Sequence, residues 1–278
     1  MANSNLKIGF VGVGNMANAI IRALINVGYI DYSSLYLYDV LSEKLDDFCA
    51  QGANKLDDLA EMPQKCDFIV LSVKPQNFPE VLTELKNEHS EHKRTVFVSI
   101  AAGIETDSIS SVLGEKTPVV RALPNTPMLI GKGVSAICRN EYVSDAEYDI
   151  ACSLFESASD VIKIDESEMN RIISVTSSSP AYVFKFIKAI CDGANRQGLD
   201  GDALKKAVCN MVIGASQMLL QSDKSADELI SMVCSKGGTT ERAVAELDSF
   251  KFSDGIVSAM LKCTERANEL SELTSSKK

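Results

Sequence analysis

The chain holds 278 residues, 45% apolar and 24% charged, enough to bury a sizeable core in one large or two ordinary domains. Its formal net charge is −10 with no basic stripe to offset it, which argues against a general nucleic-acid binder. No apolar run reaches the ~18 residues that a membrane crossing requires.

In chain order, MANSNLKIGF shows neither the basic segment nor the apolar core of a secretory signal, so a cytoplasmic location is expected. LKIGFV then reads as a strand feeding the helical NMANAIIRALINVG, and LYLYDV as a strand before SEKLDDFCAQG. DFIVLSV precedes FPEVLTELKN, and TVFVSI precedes TDSISSVLG. PVVRAL, GVSAIC and VIKI complete the strands, with AEYDIACSLFESA as a helix between the last two. Continuous apolar strands alternating with crossover helices predict a parallel sheet covered on both faces, an α/β domain over residues 1–165.

The first strand–helix turn carries the chemistry. IGFVGVGNMANAI fits G-x-G-x-x-A at Gly12, Gly14 and Ala17, directly after a strand and opening a helix. Gly12 permits the tight turn, Gly14 lets backbone approach a pyrophosphate, and Ala17 allows close helix–sheet packing. Gly12, Val13, Gly14, Asn15 and Met16 are therefore the expected phosphate-facing stretch. Asp39 closes the next strand, where an acid commonly holds the ribose hydroxyls of NAD. No arginine follows it to welcome a 2′-phosphate; Ser42 and Lys44 are the nearest candidates. The pattern leans toward NADH, with helix capping by Asp39 as the alternative.

Two further strand ends should face the same crevice, since ligands of such sheets bind beyond the strands' carboxyl ends. They are LSVKPQ, with Ser72, Val73, Lys74 and Pro75, and VSIAAG, with Ile100, Ala101 and Ala102. Small residues there admit a flat ring against backbone, and Lys74 can meet a hydroxyl or phosphate. Next comes VRALPNTP, where two prolines hold Asn125 and Thr126. Asn125 is positioned to orient a cofactor ring, a substrate or its own loop.

Beyond about residue 165 the strand signal stops, and apolar residues recur near helical spacing to the end. Pro180 lies within the helical pattern ESEMNRIISVTSSSPAYVFKFIKAICDGANRQG, so a kink is expected there. VCSKGGTTERAVAELD, at residues 233–248, places two glycines and two threonines before an amphipathic run. One reading is a threonine-capped helix start. The other is a small anion site, because a helix start presents unpaired N–H groups and the positive end of a dipole.

The eight cysteines include no C-x-x-C pair, and most sit in apolar runs as expected for small buried hydrophobes in a reducing compartment. The two histidines, His89 and His92, both fall in KNEHSEHKR, which reads as a solvated loop. Mechanisms that need a buried histidine are thereby disfavoured. No metal site is expected.

GVGNMANAI, SVKP, SIAAG, VRALPNTP, SSPAYVF and VCSKGGTTERAV stand in the order and spacing of the pyrroline-5-carboxylate reductases. The chain resembles that family from about residue 6 to residue 270. The resemblance implies a Rossmann-type dinucleotide-binding domain followed by an all-helical dimerisation domain over residues 166–278. It also implies a homodimer that assembles into a higher homo-oligomer, and an active site shared between the cofactor crevice and helical segments partly from a partner. NADPH or NADH would reduce the C=N bond of 1-pyrroline-5-carboxylate to L-proline, the last step of proline biosynthesis. Ser235, Gly238, Thr239 and Thr240 would receive the substrate carboxylate, with the Thr240 hydroxyl reaching the ring nitrogen as the catalytic candidate. Three departures stand out: Lys236 where the family usually has proline, Ser177 in place of a usual glycine, and Asp39 where many NADPH-preferring members place other residues.

Two rivals remain. One is a β-hydroxy-acid or other imine reductase of the same architecture, whose hydroxy-acid members generally use a lysine followed four residues later by asparagine in the first long helix of the second domain. Here Lys188 is followed by Asp192. A non-enzymatic nucleotide sensor has no need of a second small-anion site.

Overall fold

The computed structural model describes residues 6–87 and 94–275, so the loop expected around His89 and His92 lies outside the described residues. The chain separates into two compact units, one of Met1–Ser178 with Cys263–Lys278 and the other of Ser179–Lys262.

In the first unit, strands β1 (Ile8–Val11), β2 (Leu35–Tyr38), β3 (Asn54–Lys55), β4 (Phe68–Leu71), β5 (Val96–Ser99), β6 (Val119–Pro124), β7 (Gly133–Arg139) and β8 (Ser159–Lys163) form one sheet. Their order is β3-β2-β1-β4-β5-β6-β7-β8. The helices are α1 (Asn15–Asn26), α2 (Asp46–Ala50), α3 (Met62–Lys65), α4 (Phe78–Asn87), α5 (Thr106–Leu113), α6 (Asp145–Glu156) and α7 (Met169–Ile172).

The alternation of the strands divides their side chains between two faces. Ile8, Phe10, Leu35, Leu37, Val70 and Val98 join Ile20, Ile21 and Leu24 of α1 and Leu154 and Phe155 of α6 in one cluster. Val11, Ile69, Leu71 and Phe97 join Met62, Leu82, Leu85 and Ile109 of α3, α4 and α5 in the other. Both faces are covered, which is why the four residues of β1 are all buried and apolar rather than alternating.

One pairing departs from the all-parallel expectation: β7 runs antiparallel to β6, with Arg121 opposite Cys138. Only a short 3-10 turn, Thr126–Ile130, lies between these strands. A parallel return needs a crossover of a dozen or more residues, so the short link forces reversal. The longer connection through α6 then brings β8 back parallel to β7. The two-residue β3, at the sheet edge, was not anticipated either.

After β8 the backbone is helical. The expected kinked helix around Pro180 is instead interrupted: α7 runs into a π-helical turn at Ile173–Ser177, and a new helix, α8 (Ser179–Arg196), starts beyond it. Pro180 is the second residue of α8, where its missing N–H would have had no intrahelical acceptor. The proline thus opens a helix rather than bending one. Then follow α9 (Asp202–Gln221), α10 (Ala226–Val233), α11 (Thr239–Ser249) and α12 (Phe252–Ser275), the last continuing into the first unit's segment from Cys263.

Burial differs sharply between the units. In residues 179–262 Val208 is the one buried apolar residue, whereas Phe184, Met218, Leu220, Met232, Val233 and Phe250 are among many exposed ones. A contiguous apolar helix face in water needs a partner. The cysteines also divide: Cys66, Cys138 and Cys152 are buried, and the other five are half-buried, fewer in the core than expected.

α6 begins with a capping box in which Ser144 and Glu147 satisfy each other's backbone N–H. Arg94 adds two bonds to the Glu147 carboxylate, at 2.6 and 2.9 Å. The Arg94 guanidinium, with help from Ser144, outweighs burial and holds that carboxyl at about 2. A depressed carboxyl stabilises the fold above its unfolded value, near ~4.3, and loses that contribution as pH falls through the folded value. Glu147→Gln should therefore cost on the order of 1 kcal/mol at pH 7. The gap from wild type in urea midpoints should close between about pH 4.5 and pH 2.

Candidate dinucleotide cleft and glycine turn

The strands β1, β4, β5 and β6 all run parallel, so the segments that follow them leave from one edge of the sheet. Those segments carry Gly12–Met16, Ser72–Pro75, Ile100–Ala102 and Asn125. A cavity of about 510 Å3 opens there. Of the expected cofactor residues it is lined by Gly12, Gly14, Asp39, Ser72, Val73 and Lys74, joined by Lys44. Ile100, Ala101, Ala102, Asn125, Val13, Asn15, Met16 and Pro75 do not line it.

The two glycines of the turn serve different needs. Gly12 has φ +84°, and a Cβ there would stand 2.9 Å from a Val73 methyl and 3.1 Å from the Ser72 carbonyl oxygen. Gly14 has φ −82° and ψ −172°, ordinary extended backbone as the N-cap of α1. A Cβ on Gly14 would meet nothing within 4 Å. Gly12 is thus required by the protein's own fold, whereas the emptiness over Gly14 keeps backbone accessible at a helix start. That arrangement fits a pyrophosphate, which accepts hydrogen bonds from the first-turn N–H groups. Ala17 is buried against the sheet, as its small side chain requires.

Asp39 is more committed than the sequence suggests. Its Oδ2 accepts the Val13 N–H at 2.7 Å and its Oδ1 the Leu41 N–H at 2.9 Å. Lys44 Nζ lies 3.2 Å from both oxygens. Burial acts to raise the carboxyl's pKa, but the Leu41 and Val13 N–H groups together with Lys44 prevail and hold it below its ordinary value. With its side chain 5% exposed, the carboxylate braces the glycine turn as well as lining the cavity. Ser72 does similar work from β4: its hydroxyl donates to the Val11 carbonyl at 3.1 Å and to the Gly12 carbonyl.

Several lining residues escaped the sequence reading: Tyr38, Gln76, Asn77, Glu80 and Glu84. The signal was the position of α4, whose first turns follow β4 at the crevice edge and whose Glu80 and Glu84 share one face. These acids shape the local field. Burial, then Glu84, Asp58, Glu80 and Asp39, push the Tyr38 phenol above its ordinary value.

Asn125 uses its amide at both ends. Its Nδ2 donates to the Thr176 carbonyl at 3.0 Å and its Oδ1 accepts the Val134 N–H at 2.9 Å. Of the three roles left open by the sequence, these bonds support anchoring its own loop.

The second glycine turn belongs to the helical unit. Gly238, not a threonine, is the N-cap of α11, so Thr239 and Thr240 are its first two residues. A Cβ on Gly238 would fall 2.5 Å from the Ser235 hydroxyl oxygen and 2.9 Å from the Ser235 carbonyl oxygen. Gly237 has φ +70° and donates its N–H to Glu241 Oε2 at 2.6 Å. Ser235, Gly238, Thr239 and Thr240 are therefore gathered around one helix start, with Ser235 and Thr239 exposed and Thr240 half-buried.

This strand–glycine–helix turn with its braced acid belongs to a Rossmann-type dinucleotide-binding domain, and residues 7–103 match the family described as NADP oxidoreductase, coenzyme F420-dependent, which makes the chain an oxidoreductase. Residues 166–270 match the family described as pyrroline-5-carboxylate reductase dimerisation. The chain belongs to the pyrroline-5-carboxylate reductase family. It is 34% identical to the pyrroline-5-carboxylate reductase of Escherichia coli strain K12, covering 96% of this chain and 98% of that one. It is 30% identical to the Arabidopsis thaliana enzyme, covering 96% of each. Among solved structures, the pyrroline-5-carboxylate reductase of Coxiella burnetii superposes with a TM-score of 0.87 at 32% identity, covering 96% of this chain and 99% of that chain. The Plasmodium falciparum pyrroline carboxylate reductase with NADP bound superposes at 0.88 and 26% identity, over 96% and 99%.

The contrast between the two glycines gives a direct test. Gly14→Ala should keep the wild-type melting temperature while weakening NADH binding by about tenfold, since the added methyl occupies ligand space. Gly12→Ala should lower the melting temperature as well, because its strain is internal to the protein. Fluorescence titration and thermal melting of both variants check this.

Proposed function

We propose that the first glycine turn serves a nicotinamide cofactor and the second a small carboxylate substrate, and the reading rests on the open helix start at Gly14 facing a cavity beside Asp39. The protein is an NAD(P)H-dependent oxidoreductase that reduces the C=N bond of 1-pyrroline-5-carboxylate to give L-proline, the last step of proline biosynthesis, and it works as a homo-oligomer. When bound, NAD(P)H supplies the hydride that adds to the imine carbon.

The chain's residues bind and orient. The backbone of Gly12–Met16 receives the pyrophosphate, Asp39 and Lys74 the sugar and phosphate region, and Ser72, Val73 and Pro75 the wall beside them. Ile100, Ala101 and Ala102 form the flat surface for the nicotinamide end, with Asn125 holding the adjoining loop. Residues 1–165 thus serve the cofactor and 166–278 the substrate and the assembly, in the cytoplasm and in an oligomer larger than a dimer.

The substrate is a ring with a carboxylate next to its imine nitrogen. The first-turn N–H groups of α11 and the Ser235 and Thr239 hydroxyls suit the carboxylate, as the missing side chain of Gly238 lets Ser235 lie close beside the helix start. Thr240, one residue into the helix, presents a hydroxyl to the ring nitrogen. A protonated imine is already electrophilic, so it gains hydride and becomes an amine without a strong protein acid. Positioning is then the main task, with donor and acceptor carbons ~3–3.5 Å apart.

A hydroxy-acid reductase is disfavoured by Lys188, which is exposed and paired with Asp192 at 2.5 Å on the surface of α8. Thr240→Ala should lower kcat by about 10- to 100-fold with unchanged circular dichroism; a wild-type rate would remove Thr240 from the chemistry.

For the cofactor, NADH is the preferred partner. Asp39, Glu80 and Glu84 put three carboxylates around the cleft against the two amines of Lys44 and Lys74. A 2′-phosphate adds about two negative charges to that field. Asp39→Ala should raise the KM for NADH more than that for NADPH. Initial rates with both cofactors decide, and equal changes would overturn the preference.

A further inference from the structure

We propose that Glu166 is a positioning residue for the loop Ile100–Glu105, acting through Thr106 and anchored by the buried Arg121. The inference rests on the assignment of that loop to the nicotinamide end.

The loop joins β5 to α5, and the start of α5 lacks a local cap: its N-cap residue, Glu105, makes no side-chain capping bond. The missing acceptor comes from sixty residues further along the chain. Glu166 Oε1 accepts the Thr106 N–H at 2.8 Å, and Oε2 accepts the Thr106 hydroxyl at 2.5 Å. A carboxylate at a helix N-terminus also meets the favourable end of its dipole. Glu166 thus fixes where α5 begins and where the loop before it must end.

Behind Glu166 stands Arg121 of β6, whose side chain is 1% exposed and whose Nη1 lies 3.7 Å from Glu166 Oε1. Its Nη2 donates to Asn170 Oδ1 at 2.9 Å. Asn170 in turn donates to Asn268 Oδ1 at 3.1 Å and to the Ser271 hydroxyl at 3.0 Å, both on the last turns of α12. The same turns touch the loop itself. Gly103 has φ +75°, strained for other residues, and a Cβ there would press on Leu270 Cβ at 3.1 Å.

This connected set is costly. Arg121 Nε has no hydrogen-bond partner among the described residues. Burying a charge that is incompletely bonded is weak grounds for stability, and an apolar replacement of similar volume is often neutral or better. What the network supplies is a position. It ties β6, the segment after β8 and the end of α12 to the loop that follows β5, in which Ala102 is exposed. A loop displaced by 1 Å is enough to slow hydride transfer by up to ~100-fold.

The test separates the two halves of the cofactor in the full-length protein. Dissociation constants for NADH and for ADP are measured by fluorescence and calorimetry, with kcat, KM and melting temperature, for Glu166→Ala, Glu166→Gln and Thr106→Val. ADP reports the glycine-turn half alone. The expected result is an NADH constant about tenfold weaker and a kcat at least tenfold lower in Glu166→Ala, with ADP binding within twofold of wild type. Glu166→Gln, which retains an acceptor oxygen, should recover most of the loss, and Thr106→Val should reproduce part of it. If these variants only melt earlier, or shift NADH and ADP by the same factor, the network is scaffolding and the proposal fails. If Glu166→Ala does not fold, Thr106→Val carries the comparison, with Glu166→Gln as the rescued reference. Ala102→Leu is the control for the underlying assignment. Unchanged NADH binding in that variant would remove the loop from the nicotinamide site, whereas weakened binding there with normal Glu166 variants would sink the positioning role alone.

Discussion

The common direction of β1, β4, β5 and β6 is the constraint on which the cofactor site depends. Parallel strands deliver their following loops to one edge, so four short motifs scattered over more than a hundred residues become neighbours without any local sequence reason to be so. The direction follows from the crossovers: α3, α4 and α5 each carry the chain back across a sheet face, burying one side against Val11, Ile69, Leu71 and Phe97. Where no crossover intervenes, between β6 and β7, the chain reverses, and the series of loops at that edge ends with Asn125.

A different physical requirement governs the helices after residue 178. Their apolar faces are too broad for what they bury in a single chain, with Val208 buried and residues such as Phe250 and Leu220 about four-fifths exposed or more. At tens of cal/mol per Å2, such apolar surface left in water favours association with a second copy. Dimerisation is therefore part of how this unit becomes stable, in accord with the family to which residues 166–270 match. Polar positions inside the same stretch, such as the Gly237–Thr240 turn, are then free to serve a ligand rather than a core.

Electrostatics gives the cleft its character. Asp39 spends its carboxylate on Val13, Leu41 and Lys44, so its charge stabilises the turn before any ligand arrives. That bracing explains why an acid stands beside a site for an anionic cofactor: Oδ2 holds the Val13 N–H, and Lys44 balances the charge. Glu80 and Glu84 add negative potential to the cavity lining. In the second glycine turn, the Glu241 carboxylate accepts the Gly237 N–H at 2.6 Å at the start of α11.

Most strands and helices, and the strand–glycine–helix turn after β1, are local signals that one sequence carries: apolar runs of strand length, and a glycine whose φ of +84° strains any other residue. Whether Pro180 bends a helix or opens one was decided by the π-helical turn before it, a feature of packing with no distinct sequence period. The reversal of β7 depended on how little chain separates it from β6. Asp39's commitment to Val13, and the Glu166 cap on a helix sixty residues earlier, were invisible because hydrogen bonds between distant residues leave no periodic trace in one sequence. Side-chain partners across the fold are chosen by where strands and helices come to lie, and only the tertiary structure fixes that.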